Sequence, residues 1–181
     1  LGEVPGLGKT RVAAITDAWS QHRDIGAIMV FLQSHGVSPG LAARIYKRFG
    51  RDAMNIVATS PYRLALDVWG IGFKTADAIA RSVGVAADAP ERLQAGVLHM
   101  LHQLSGQGHV FGERERLAEI SAEMLECGVD AVQDAIVQLE SAKRVRHEVL
   151  SDGTEAIYSP DLHDAERRVA HRFDVLLRAK A

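Results

Sequence analysis

Three glycine turns recur in the first eighty residues, and they constrain the fold more than any other feature. Val4-Pro5-Gly6-Leu7-Gly8-Lys9-Thr10-Arg11-Val12, His35-Gly36-Val37-Ser38-Pro39-Gly40-Leu41-Ala42 and Val68-Trp69-Gly70-Ile71-Gly72-Phe73-Lys74-Thr75-Ala76 align with first glycines at 6, 36 and 70. Each is a glycine, an apolar residue and a second small residue, then a helix-forming run with Val12, Ala42 or Ala76 at its fourth position. The glycines let the backbone turn tightly and approach a ligand without Cβ obstruction. The apolar residue between them (Leu7, Val37, Ile71) plugs the turn into a core. The helix that follows begins with backbone N–H groups that have no partner inside the helix, and its dipole favours an anion there. A phosphate satisfies such donors without reference to base identity.

This arrangement resembles the helix-hairpin-helix family of DNA-binding motifs. The residues it nominates for DNA contact are Gly6, Leu7, Gly8, Lys9, Thr10 and Arg11 in the first turn, Gly36, Ser38 and Lys47 with the second, and Gly70, Ile71, Gly72, Lys74 and Thr75 in the third. A glycine turn between helices is also a common connector, so any single repeat reads equally well as structural. The second turn is the poorest phosphate site, because Ser38 replaces its second glycine and Pro39 lacks an N–H. It reads as a scaffold partner for the third, which alone keeps both glycines, the plug, Lys74 and Thr75 together within an intact pair.

Between the turns the first ninety residues read as short helices: Lys9–Trp19, Ile25–Leu32, Leu41–Phe49 after Ser38-Pro39, Tyr62–Leu66 after Ser60-Pro61, and Phe73–Val83. Beyond Val85–Pro90 the pattern changes. Glu91–Leu104 is an amphipathic helix, Val110-Phe111 a short strand, and Glu113–Leu125 and Val129–Ala142 two further helices. Val145, His147 and Val149 alternate with polar residues, and Asp152-Gly153 turns the chain into Ala156-Ile157-Tyr158, a hairpin signature. Helix, strand, helix, helix, hairpin is the order of a winged-helix domain. The expected architecture is mostly α: a tandem helix-hairpin-helix array over 1–88, a winged-helix-like α+β module over 89–160, and a C-terminal helix over 161–181.

Charge divides along the same line. The net formal charge is −2, but residues 1–50 carry +3 and residues 91–181 carry −5. The first part suits a polyanion, and the second suits protein contacts through 89–160. In the recognition position of the winged helix, Val129–Ala142 presents Asp130, Asp134 and Glu140, which repel phosphate and favour packing or protein contact. Arg144 and Arg146 on the wing are its minor DNA option.

Phe31–Val37, Ala43–Lys47, Asn55–Val57, Pro61–Leu64 and above all Asp67–Asp77 resemble the N-terminal region of RecD-like DNA helicases of recombination and repair. The resemblance is dense over about residues 1–85 and looser to about Arg172. It implies an excised piece of a longer protein, which the single cysteine would place in the cytoplasm, whose superfamily 1 core unwinds DNA 5′ to 3′ with ATP and Mg²⁺. It also implies that the first turn is half of a pair whose other half is missing. This chain itself is expected to need no cofactor and to show neither ATPase nor base-excision activity.

Several features promise more than they carry. Gly8-Lys9-Thr10 mimics the end of a P-loop, but Glu3 occupies the required first glycine and no strand precedes it. A helix-hairpin-helix glycosylase needs a catalytic Asp after a Gly/Pro-rich stretch, which Asp88-Ala89-Pro90 approximates poorly. A protein-interaction scaffold with degenerate hairpins is the other alternative to DNA binding. His99 and His102 have metal-compatible spacing but no completing ligand, so no metal is expected. Trp19 and Trp69 are candidates for base stacking, with Trp69 reading better as a core or hairpin-supporting residue. The single Cys127 is expected to be a small buried residue in a reducing compartment, and no apolar run is long enough for a membrane span.

Overall fold

The computed structural model describes residues 25–179. The first turn, the helix Lys9–Trp19 and Trp19 itself lie outside the described residues. Contacts divide the chain into two compact units, 1–85 and 86–181.

In the first unit, helix α1 (25–34) leads through the second glycine turn into α2 (Pro39–Phe49). A single 3-10 turn (Gly50–Asp52) and α3 (Ala53–Thr59) connect α2 to α4 (Arg63–Asp67). The third glycine turn then joins α4 to α5 (Phe73–Ser82). Helix α3 escaped the sequence reading, although Ala53, Ile56 and Val57 have helical spacing and Ala53 and Val57 are fully buried. At seven residues it has too few apolar positions to build a recognisable stripe. Ile28, Leu32, Val37, Ala42, Ile45, Leu64, Ile71, Ala76 and Ile79 close one core with the α3 pair. Ala42 and Ala76, the fourth-position residues of the two turns, are fully buried.

The second unit opens with α6 (Pro90–Gly106). Then come β1 (Gly112–Glu113), α7 (Arg114–Leu125), α8 (Val129–Ser141), β2 (Arg146–Val149), β3 (Glu155–Tyr158) and α9 (Pro160–Ala179). The sheet is antiparallel in the order β1-β3-β2, with Gly112 opposite Ile157 and His147 also opposite Ile157 on the other side. This is the helix, strand, helix, helix, hairpin order of a winged helix. The first strand lies at Gly112–Glu113 rather than Val110-Phe111, and packing explains the shift. A Cβ on Gly112 would come within 3.2–3.4 Å of Leu104, Leu101 and Leu117, so glycine lets the strand lie against the helices without displacing these side chains. At the wing tip, Asp152 accepts a hydrogen bond from the Thr154 amide at 3.0 Å. Those Thr154 bonds hold its carboxyl below the usual carboxylate range. Gly153 takes φ 88° to complete the turn.

Arg92 is buried and donates to the backbone oxygens of Ala87 at 2.8 Å and Leu125 at 3.0 Å, tying the start of α6 to the end of α7. Cys127, expected to be buried, is only half-buried, because it follows the left-handed Glu126 that ends α7. Desolvation still pushes its thiol pKa up, against the pull of Arg92. Among the described residues no helix is long and apolar enough to cross a membrane.

Candidate functional site

The two described glycine turns have the same plan and different chemistry at their tips. Gly36 and Gly70 take φ 76° and 83°, left-handed values that L side chains rarely adopt. Between the small residues, Val37 and Ile71 are buried at 3% and 4% exposure. Their carbonyl and amide ladders close tightly: the Val37 amide donates to Leu32 O at 3.0 Å and the Ile71 amide to Val68 O at 3.1 Å. The plug therefore holds each tip rigidly over its own core.

The helix starts differ. Ser38 caps α2, its Oγ accepting from the Leu41 amide at 3.4 Å, and Pro39 fills the first helical position. Two of the donors a phosphate would use are thus removed, one by the hydroxyl and one by the imino ring. Gly72 starts α5 with no side-chain cap. Its φ of −89° and ψ of 173° are ordinary extended values, and a Cβ there would meet nothing within 4 Å. Neither backbone conformation nor packing demands glycine at 72. What its bare Cα leaves is an unobstructed approach to the first-turn amides of Lys74 and Thr75.

First-turn charge is alike in these two helices and differs between the two units. Neither α2 nor α5 has an acidic residue in its first turn. Every long helix of the second unit has one: Glu91, Glu115, Asp130 and Asp161. Lys74, exposed in the first turn of α5, places a cation at the positive end of a helix dipole. That is unfavourable for the free helix and favourable once an anion arrives. Residues 25–85 carry seven Lys/Arg against three Asp/Glu. Arg48 and Arg63 are spent on Asp67, at 3.8 and 3.1 Å.

Of the remaining nominated residues, Thr75 is half-buried at the third position of α5, beside Lys74. Lys47 is exposed in the last turn of α2, about 13 Å along the axis from Ser38. The structure therefore separates it from the tip of its own hairpin. Behind the third turn, Tyr62 stacks on Phe73 with ring centroids 5.9 Å apart, and its hydroxyl donates to Asp77 Oδ1 at 2.7 Å. These contacts fix the angle between α4 and α5, and sequence spacing gave no sign of them.

Trp69 is a correction. It is 88% exposed, not a core residue. The turn sends Val68 and Ile71 inward, and the residue between Val68 and Gly70 has only solvent to face. Arg44 supports it: Nη1 donates to the Trp69 carbonyl at 3.1 Å, and the guanidinium carbon lies 5.9 Å from the ring centroid.

The described helices of the second unit all carry an acidic first turn. Asp130 and Asp134 are exposed on α8, and Arg114 is occupied by Glu140 at 2.6 Å and Glu155 at 3.5 Å. The groove beside it, about 500 Å³, is lined by Glu113, Glu115 and Glu155. His99 bonds the Gln103 side chain at 3.1 Å, and the described residues hold no cluster of three or more metal-ligating side chains.

If Ser38 is a cap, Ser38→Ala should lower the stability of the first unit by about 0.5–1 kcal/mol. Chemical denaturation reads this directly, and an unchanged midpoint would show that the 3.4 Å bond contributes nothing.

Paired glycine turns, each with a buried plug and a small buried residue in the helix beyond, define a helix-hairpin-helix protein. Residues 21–111 match the family described as the ATP-dependent RecD2 DNA helicase HHH domain, and the chain belongs to that family. It is also 29% identical, over 97% of its length, to the ATP-dependent RecD2 DNA helicase of Deinococcus radiodurans. The match covers 26% of that relative, so the chain spans about a quarter of its length.

Proposed function

We propose that this chain binds DNA without sequence preference through the third glycine turn, as the N-terminal region of an ATP-dependent 5′-to-3′ helicase of recombination and repair. The observation that carries the reading is the uncapped start of α5, where bare Gly72 leaves the Lys74 and Thr75 amides approachable and Lys74 supplies charge. A phosphate oxygen accepts from those amides, the helix dipole stabilises it, and the ammonium of Lys74 neutralises it. Phosphate contact carries no reference to base identity, so this reading predicts no sequence preference. The second turn, self-capped by Ser38, serves as its structural partner.

ATP and Mg²⁺ belong in this reading to the longer helicase. Among the described residues no glycine-rich loop joins a strand to a helix; β1 passes directly into α7. None of them is assigned a role in nucleotide chemistry. The acidic second unit is given to protein contacts, since Asp130 and Asp134 face solvent where a DNA-reading winged helix would carry cations.

Fluorescence anisotropy with labelled DNA over a salt series tests the proposal. With two to four phosphates neutralised, log affinity should fall against log salt with a slope of about −1.5 to −4. Lys74→Ala should weaken binding about equally for all sequences and reduce the slope by about one. A slope near zero, or strong preference for one duplex sequence, would remove the proposal. Full binding by Lys74→Ala together with loss in Lys9→Ala would move the site to the first turn.

A further inference from the structure

Trp69 has the highest exposure of any large apolar side chain among the described residues, and it stands at the tip of the third turn, directly before Gly70. An indole exposes a large flat apolar surface, and the turn, with Val68 and Ile71 facing inward, directs this one to solvent. Its backbone is nevertheless fixed. Val68 and Ile71 on either side are buried, the Ile71 amide is bonded to Val68 O, and Arg44 holds the Trp69 carbonyl. The Arg44 side chain is itself braced by Gly40 O, which its Nε reaches at 3.4 Å. The result is an exposed indole on a fixed backbone, with one guanidinium against it and Lys74 five residues further along the chain.

Such a surface fits a partner that is both flat and anionic. Bases in continuous duplex DNA are stacked on their neighbours and offer no face to a side chain, whereas an unpaired base does. We propose that Trp69, supported by Arg44, stacks on an unpaired base beside the phosphate held at α5, so that the site takes single-stranded DNA in preference to continuous duplex. This rests on the DNA-binding reading above and adds the structure of the DNA to it. A protein partner would use the ring and neighbouring Leu66 as an apolar anchor and would give no strand preference.

The test uses the 181-residue chain with two probes of equal length, a labelled oligothymidylate and a duplex closed at both ends by loops. The parent should favour the oligothymidylate. Trp69→Ala should weaken that complex about five- to a hundredfold, as removal of a stacking aromatic does, and leave the duplex complex within about twofold. Trp69→Phe should recover part of the loss, and Trp69 emission in a Trp19→Phe background should be quenched by the oligothymidylate. If both probes bind and Trp69→Ala changes neither, or weakens both equally, the stacking proposal is overturned while the phosphate site stands. If the parent binds neither probe, both readings fall together.

Discussion

Ile71→Ala is expected to destabilise the first unit by about 2–5 kcal/mol, the cost of emptying a well-packed aliphatic site. Ile71 is 4% exposed and sits between Gly70, locked at φ 83°, and Gly72, so the chain cannot easily collapse into the space it leaves. For a unit of this size each kcal/mol moves the melting temperature by about 4–8 °C. A fall of roughly 10 °C or more in the first unit's transition follows, readable by circular dichroism or by hydrogen exchange of the α5 amides. Ile71→Val, which removes one methylene, should cost only about 0.5–1.5 kcal/mol. DNA affinity in Ile71→Ala should track the folded fraction, because the side chain, nominated from the sequence for DNA contact, is buried in the core. A loss below about 1 kcal/mol would mean that the turn is not anchored by its plug.

The plugs were legible in the sequence because the glycine spacing and the helical period name the same residues. Gly36, Gly70, Ala42 and Ala76 follow from the same alignment, and the order of elements in the second unit follows from helical periodicity and the Asp152-Gly153 hairpin signal. The strand at Gly112–Glu113 was not, because glycine weakens an isolated strand and here its value lies in close packing against Leu101, Leu104 and Leu117. The exposure of Trp69 was hidden for a related reason. Burial of a large aromatic is the rule, and the exception depends on which way a three-residue turn faces after Val68 and Ile71 have taken the inward positions.

The difference between the two hairpins was half visible. Ser38 in place of glycine and Pro39 after it announced a weaker anion site, and Ser38 indeed caps its own helix. Lys47 was grouped with that turn by sequence proximity, but a helix carries it to the far end of α2. The freedom of Gly72 was not visible at all. A glycine in a turn suggests an unusual backbone, yet φ −89° is open to any residue. Neither the backbone nor the packing asks for glycine at 72, which is why the proposed phosphate site is tested there.

That freedom makes Gly72→Asp the most direct test of the phosphate site. Asp is a favoured N-cap and a carboxylate at the start of a helix, so the substitution should hold or raise stability by about 0.5–1 kcal/mol. It accepts the same first-turn donors that a phosphate would use and repels the phosphate by charge. Losing two charge-assisted hydrogen bonds, each worth about 1.5–3 kcal/mol, predicts a fall in DNA affinity of about a hundredfold or more. Ser38→Asp, with the same charge at the self-capped turn, should change affinity by no more than about threefold once salt screens the distant charge. The measurement is DNA affinity beside the melting temperature for these two variants. A stable Gly72→Asp protein that has lost DNA, with Ser38→Asp close to the parent, is the result the account predicts. A stable Gly72→Asp protein that binds DNA like the parent would contradict it.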